Sequence, residues 1–150
     1  DYLWIRLRVK GGAYGCMSGF GRDGDCYMVS YLDPKLAETN EVYDKLPEYL
    51  EQFDQDERSM DRYVIGAISE MDIPKNPAAL GVRGLTAYLS GITREQLQKE
   101  RDEVIDTDAK EIRALVPYAK AVLSNNCLCV VGNENKIKEN SSLFTTVRSL

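Results

Sequence analysis

A chain of 150 residues is long enough to fold as one domain with a core of its own. With 43% hydrophobic and 29% charged residues it is not a disordered segment, and no apolar run approaches the roughly 20 residues of a membrane-spanning helix. A net charge of -5, with the basic residues scattered rather than clustered, opposes a phosphate backbone and argues against nucleic acid as a partner.

Tyr2-Leu3-Trp4-Ile5 reads as the end of a helix, so a chain that starts at Asp1 without Met is expected to be cut from a longer polypeptide. Next comes Arg8-Val9-Lys10-Gly11-Gly12-Ala13-Tyr14-Gly15, an Arg and a Tyr joined through a double glycine. An ordinary turn requires neither long side chain. A guanidinium fixed beside a phenol would grip an anionic or carbonyl oxygen. The run is not a phosphate loop, because that pattern needs Gly-x-x-x-x-Gly-Lys-Ser/Thr after a strand, and here Lys10 precedes the glycines.

Ala13 to Phe20 and Asp25 to Leu32 flank Gly21-Arg22-Asp23-Gly24, and the Asp-Gly dipeptide predicts a hairpin. A two-residue turn at Asp23-Gly24 would set Cys16 opposite Tyr31 and Cys26 opposite Gly21. Alternation sends Tyr14, Cys16, Ser18 and Phe20 to one face and Ala13, Gly15, Met17 and Gly19 to the other, a small set suited to close cover by a helix or another segment. Asp33-Pro34 ends the hairpin. Leu36, Val42, Tyr43, Leu46, Tyr49, Leu50 and Phe53 then recur at helical spacing, with Pro47 expected to kink or split the helix.

Met60, Tyr63, Val64, Ala67, Ile68 and Met71 form a second helical stripe ended by Pro74 and Pro77, and Ala79 to Leu89 a third, all read as helix core. Thr93 and Gln96 have capping-box spacing, so a helix should run from there to about Val104. Thr107 or Asp108 caps another, with Ile112, Leu115, Val116, Ala119, Val122 and Leu123 inward and Pro117 as a kink. Acidic residues between Glu100 and Glu111 lie among Lys99, Arg101 and Lys110 and lack calcium-loop spacing, which marks a solvated helix face.

Cys127 to Val131, closed by Gly132-Asn133, reads as a buried strand, and a last helix or turn takes Glu134 to Lys138. Neither the hairpin pairing of Cys16 and Cys26 nor the spacing of Cys127 and Cys129 suits a disulfide or a zinc site. Buried, reduced thiols are the expectation, which favours the cytoplasm or another reducing compartment. Together these elements predict one α+β domain over residues 1–150: a small antiparallel sheet, the hairpin plus one later strand, covered by five or six helices. Such a sheet leaves an edge unpaired, and an unpaired edge recruits further strands.

The segment from Leu3-Trp4 to Tyr14-Gly15, followed by Ser30-Tyr31-Leu32-Asp33-Pro34, resembles the C-terminal half of the insulinase (pitrilysin-type) zinc metallopeptidases, in the presequence-protease-like branch. The resemblance continues through Leu36 to Leu50, Met60 to Met71 and Thr93 to Val104; Leu32 departs from it, Arg being expected there. It implies an incomplete unit of the mitochondrial-processing-peptidase type, the last part of the fourth such unit in the full enzyme. The parent would degrade short unfolded peptides in a closed chamber. By resemblance, Arg8 and Tyr14 bind substrate across that chamber, with Tyr14 also the oxyanion donor and Gly11 and Gly12 shaping the wall.

The zinc would be bound outside this chain, by the N-terminal half of the same polypeptide, since the inverted His-x-x-Glu-His motif cannot be drawn from a chain without histidine. On its own the chain is not expected to hydrolyse peptides. Partners are then unfolded peptides and that N-terminal half, with no membrane. A second expectation from the same resemblance is a non-catalytic structural or peptide-binding scaffold; retention of both Arg8 and Tyr14 favours the enzyme, because a scaffold needs no oxyanion donor.

Overall fold

In the computed structural model, which describes residues 1–149, the first helix opens at Tyr2 and widens into a π-helical segment, Trp4–Val9. The Lys10 N–H reaches back five residues to the Ile5 carbonyl at 3.0 Å. The helix therefore runs further than the expected end near Ile5. It stops at the double glycine: Gly12 N–H donates to the Arg8 carbonyl at 3.1 Å and Ala13 N–H to the Leu7 carbonyl at 3.0 Å. With Gly12 at φ 88, this is a left-handed glycine termination like a Schellman motif but with each bond one residue wider, as follows from the π-helical turn before it. The apolar contact that accompanies such a cap is present too, since Leu7 and Ala13 are 1% and 3% exposed and share one core cluster.

Strands β1 (Gly15–Phe20) and β2 (Cys26–Tyr31) form the hairpin, antiparallel as expected. Its register differs from the expectation by one residue: Cys16 pairs with Ser30, Gly15 with Tyr31 and Phe20 with Cys26. The Asp-Gly dipeptide does not make a two-residue turn. Gly21 N–H donates to Asp25 O at 2.7 Å, Gly24 N–H to Gly21 O at 3.2 Å, and Gly24 takes φ 92, so the loop holds three residues with a left-handed glycine last. On the small face of β1 close cover is found at Gly19 alone, where a Cβ would sit 2.5 Å from the cross-strand Tyr27 ring; a Cβ on Gly15 would meet nothing within 4 Å, and Met17 is exposed.

The described residues fall into two compact units. The first comprises Asp1–Gln52 and 114–149. Here Leu7, Ala13 and Tyr43 form a core against which Leu3, Cys16, Met28, Val42 and Leu123 pack. Helices α1 (Ala37–Asp44) and α2 (Leu46–Glu51) are split at Lys45, as Pro47 foretold. α2 packs on α7 (Val116–Ser124), which opens with Pro117. Pro47, Val116 and Ala119 are buried on those two helices, and Lys120 pairs with Glu51. α8 (Glu134–Glu139) is capped by Asn133.

Phe53–Arg113 make the second unit. α3 (Glu57–Met71) is capped by Asp56, α4 (Pro77–Leu89) by Asn76, and α5 (Arg94–Ile105) by Thr93 with both bonds of the capping box formed. Asp108 caps α6 (Ala109–Ala114), accepting from the Lys110 and Glu111 amides at 2.7 and 2.9 Å. α3 packs on α5, and Arg101 grips Asp72 Oδ2 through two nitrogens at 2.8 and 3.1 Å. Phe53 and Met60 are buried.

The class is α+β, as the sequence indicates. Three expectations within it are corrected. Cys127 to Val131 takes no regular secondary structure and pairs with nothing as a strand, so the sheet among the described residues has two strands. Cys26, Cys127 and Cys129 are exposed and only Cys16 is half-buried; the run from Cys127 has no partner strand to cover its thiols. The α4 stripe is not core either: Leu80, Val82, Leu85 and Leu89 are exposed, and Tyr88 is 82% exposed.

Candidate functional site

The π-helical segment carries Trp4 and Arg8 four residues apart, and the glycine turn reverses the chain so that Tyr14 returns past them. The Arg8 guanidinium carbon lies 4.4 Å from the Trp4 ring centroid and 5.7 Å from that of Tyr14. Both separations are within the reach of a cation–π attraction. On its far side Tyr14 meets Tyr31 edge to face, with centroids 5.7 Å apart and planes at 85°. Tyr14 N–H donates to the Tyr31 carbonyl at 3.0 Å, which prolongs the β1–β2 ladder and fixes the backbone beneath the ring.

Tyr14 is 64% exposed. Among the described residues neither its hydroxyl nor the Arg8 guanidinium has a hydrogen-bond or ion-pair partner. Arg8 is thus held by ring faces, which leaves its N–H donors unspent. A flat cation and a neutral O–H donor side by side can receive carbonyl or carboxylate oxygens.

All four residues singled out in the sequence are brought together here, but by different means. Arg8 and Tyr14 present side chains. Gly11 and Gly12 act through the backbone: a Cβ on Gly11 would lie 2.3 Å from the Leu7 carbonyl oxygen, and Gly12 needs its positive φ. Sequence reasoning did not name Trp4 or Tyr31 as part of the site. The spacing of Trp4 from Arg8 was the available signal for one; for Tyr31 it was the Ser30 to Pro34 run. Beyond Tyr31 the chain turns sharply, with exposed Leu32 at φ 48 and Asp33 accepting from Lys35 N–H and from the Thr39 hydroxyl at 2.9 and 2.7 Å.

Elsewhere in the first unit an open groove of about 390 Å³ lies between Tyr2, Arg6, Val42, Glu48 and Tyr49. Its polar groups are partly engaged with one another. Tyr2 donates to the Val42 carbonyl at 3.0 Å and stacks on Tyr49, and burial raises the Tyr2 phenol above its ordinary value. No group of three or more Cys, Asp or Glu among the described residues could hold a metal ion. With no histidine in the sequence, the chain cannot supply the inverted His-x-x-Glu-His ligand set.

Residues 1–132 match the family described as PreP C-terminal domain. Presequence protease 1, chloroplastic/mitochondrial, of Arabidopsis thaliana is 30% identical over 154 residues, covering 99% of this chain and 14% of its own length. The mitochondrial presequence protease of Schizosaccharomyces pombe is 28% identical over 125 residues, covering 83% of this chain and 12% of its own. A relative under a different name, Protein HypA of Clostridium perfringens, is 47% identical across all of this chain and 15% of itself. The chain spans 15% or less of the length of these relatives. It belongs to the presequence-protease C-terminal domain family.

Proposed function

We propose that this chain is the C-terminal, peptide-binding portion of a zinc-dependent metalloendopeptidase of the insulinase family that degrades short unfolded peptides. It completes an active site whose metal is held elsewhere on the polypeptide, so its partners are the substrate peptide and the N-terminal half of the same protein. The four free thiols fit a reducing compartment. The observation that carries the reading is the Arg8 guanidinium, without a hydrogen-bond or ion-pair partner among the described residues, beside the exposed Tyr14 ring.

Each residue then has a distinct task. As a peptide carbonyl is attacked, negative charge grows on its oxygen, and the Tyr14 hydroxyl donates to that oxygen more strongly in the transition state than before it. Arg8 holds neighbouring carbonyl or carboxylate oxygens of the peptide throughout, which gives binding, and by the same grip keeps the attacked carbonyl aligned with Tyr14, which gives part of the rate. One donor to an oxyanion is worth roughly 2.7 to 4 kcal/mol, or about 10² to 10³ in turnover.

The test uses the longer polypeptide that carries this chain. Tyr14→Phe is expected to lower kcat by about 10² to 10³ with little change in KM, while Arg8→Ala both raises KM and lowers kcat. Unchanged turnover in the Phe variant would take Tyr14 out of the mechanism, whereas a longer polypeptide with no turnover at all would favour the scaffold reading.

A further inference from the structure

We infer that Trp4 is the positioning residue for Arg8: its indole face fixes the guanidinium where the proposed peptide-binding role needs it. The inference rests on that proposed role, but it is carried by separate geometry. An arginine on an exposed helix surface samples many rotamers, and ordering it carries a side-chain entropy cost. A carboxylate could order it, but would occupy the same N–H donors that a peptide oxygen requires. A ring face orders it without using any of them. Trp4 lies one helical turn before Arg8 at 4.4 Å, closer than Tyr14 at 5.7 Å, and no carboxylate competes among the described residues.

Tyr14 could not do this alone. At 5.7 Å its ring is near the roughly 6 Å limit of the attraction, and it must also keep its hydroxyl on the substrate. Trp4 is itself half-exposed, so its removal leaves the Leu7, Ala13 and Tyr43 core intact. It therefore supports Arg8 without touching substrate in this assignment.

Two measurements on the full-length polypeptide test it. In a double-mutant cycle, Trp4→Leu is expected to lower kcat/KM by about two- to fivefold, through KM and kcat in the same proportion as Arg8→Ala, with Trp4→Phe recovering part of the loss. Placed in the Arg8→Ala background, Trp4→Leu should cost nothing further. An equal cost in both backgrounds overturns the assignment. The second measurement is a crystal structure of the Trp4→Leu protein, in which the Arg8 guanidinium should leave its place beside Tyr14; finding it unmoved also overturns the assignment. Were Arg8→Ala kinetically silent, the proposed substrate role would fall, while the crystal structure would still decide what Trp4 does.

Discussion

Gly11 and Gly12 are adjacent and chemically identical, yet the structure needs them for different reasons. Gly12 is needed for its dihedral, φ 88, with only the Pro34 ring at 3.5 Å from a hypothetical Cβ. Gly11 is needed for its lack of volume, because a Cβ there would meet the Leu7 carbonyl oxygen at 2.3 Å, and that oxygen accepts the Ala13 N–H that closes the turn. Gly12→Ala is accordingly expected to destabilise the protein by about 1 to 2 kcal/mol, the cost of a left-handed non-glycine residue. Gly11→Ala should cost more, since relief of the clash breaks the cap itself. Urea denaturation of both variants checks the order, and a smaller loss for Gly11→Ala would reject it. The pairing of Arg8 with Tyr14 was legible in sequence. The reason for the glycines was not, because a close approach of backbone to substrate and a helix termination call for the same residue.

Local chemistry also decides which elements could be read in advance. Asp56, Asn76, Thr93, Asp108 and Asn133 each cap a helix with a bond spanning two or three residues, and Pro47 and Pro117 each open one, so those boundaries are written in short stretches of chain. At Thr93 the reciprocal bonds are 2.8 and 3.2 Å. Thr93→Ala should therefore cost about 1 kcal/mol, with amide exchange accelerating first at Gln96 and Leu97, at the start of α5. Uniform acceleration across α3 and α5 would show that the cap governs the whole unit and not its own turn. The hairpin register was less legible, because Asp-Gly serves both a two-residue turn and a three-residue loop with a terminal left-handed glycine, and the two differ by one residue in pairing. The strand expected at Cys127 to Val131 fails for a non-local reason: an apolar run becomes a strand only when the fold brings it alongside a sheet edge, and among the described residues it pairs with neither edge of the β1–β2 hairpin. Exposure of the α4 stripe has the same character, since periodicity identifies an apolar face without saying what covers it.

Across the molecule, the α+β class followed from element types, whereas the division into two units did not, since no linker composition marks Phe53 or Arg113. The units differ in how their titratable groups are held. In the second, Asp56 is kept below its ordinary value by the Ser59 amide, Asp72 by the Arg101 guanidinium, and Glu95 by its own amide and Thr93. In the first, burial raises Tyr2, Cys16 and Tyr43. A depressed carboxylate contributes stability that is present above its unfolded pKa, near 3.8 for Asp and 4.5 for Glu, and is lost as pH falls through the lower folded value. A raised phenol or thiol contributes stability that is present below its unfolded pKa, 10.0 or 9.0, and is lost as pH rises through the higher folded value. The two units should consequently loosen at opposite ends of the pH scale. Methyl spectra recorded across the range can follow Leu7 and Leu123 in the first unit and Ile68 and Leu97 in the second. The Ile68 and Leu97 signals are expected to broaden first below about pH 4, and those of Leu7 and Leu123 first above about pH 10. Asp72→Asn should shrink the acid response by removing a carboxylate whose charge binds Arg101. If all four signals were lost together at either extreme, or if Asp72→Asn left the acid response untouched, these groups would not be what sets the pH limits of each unit.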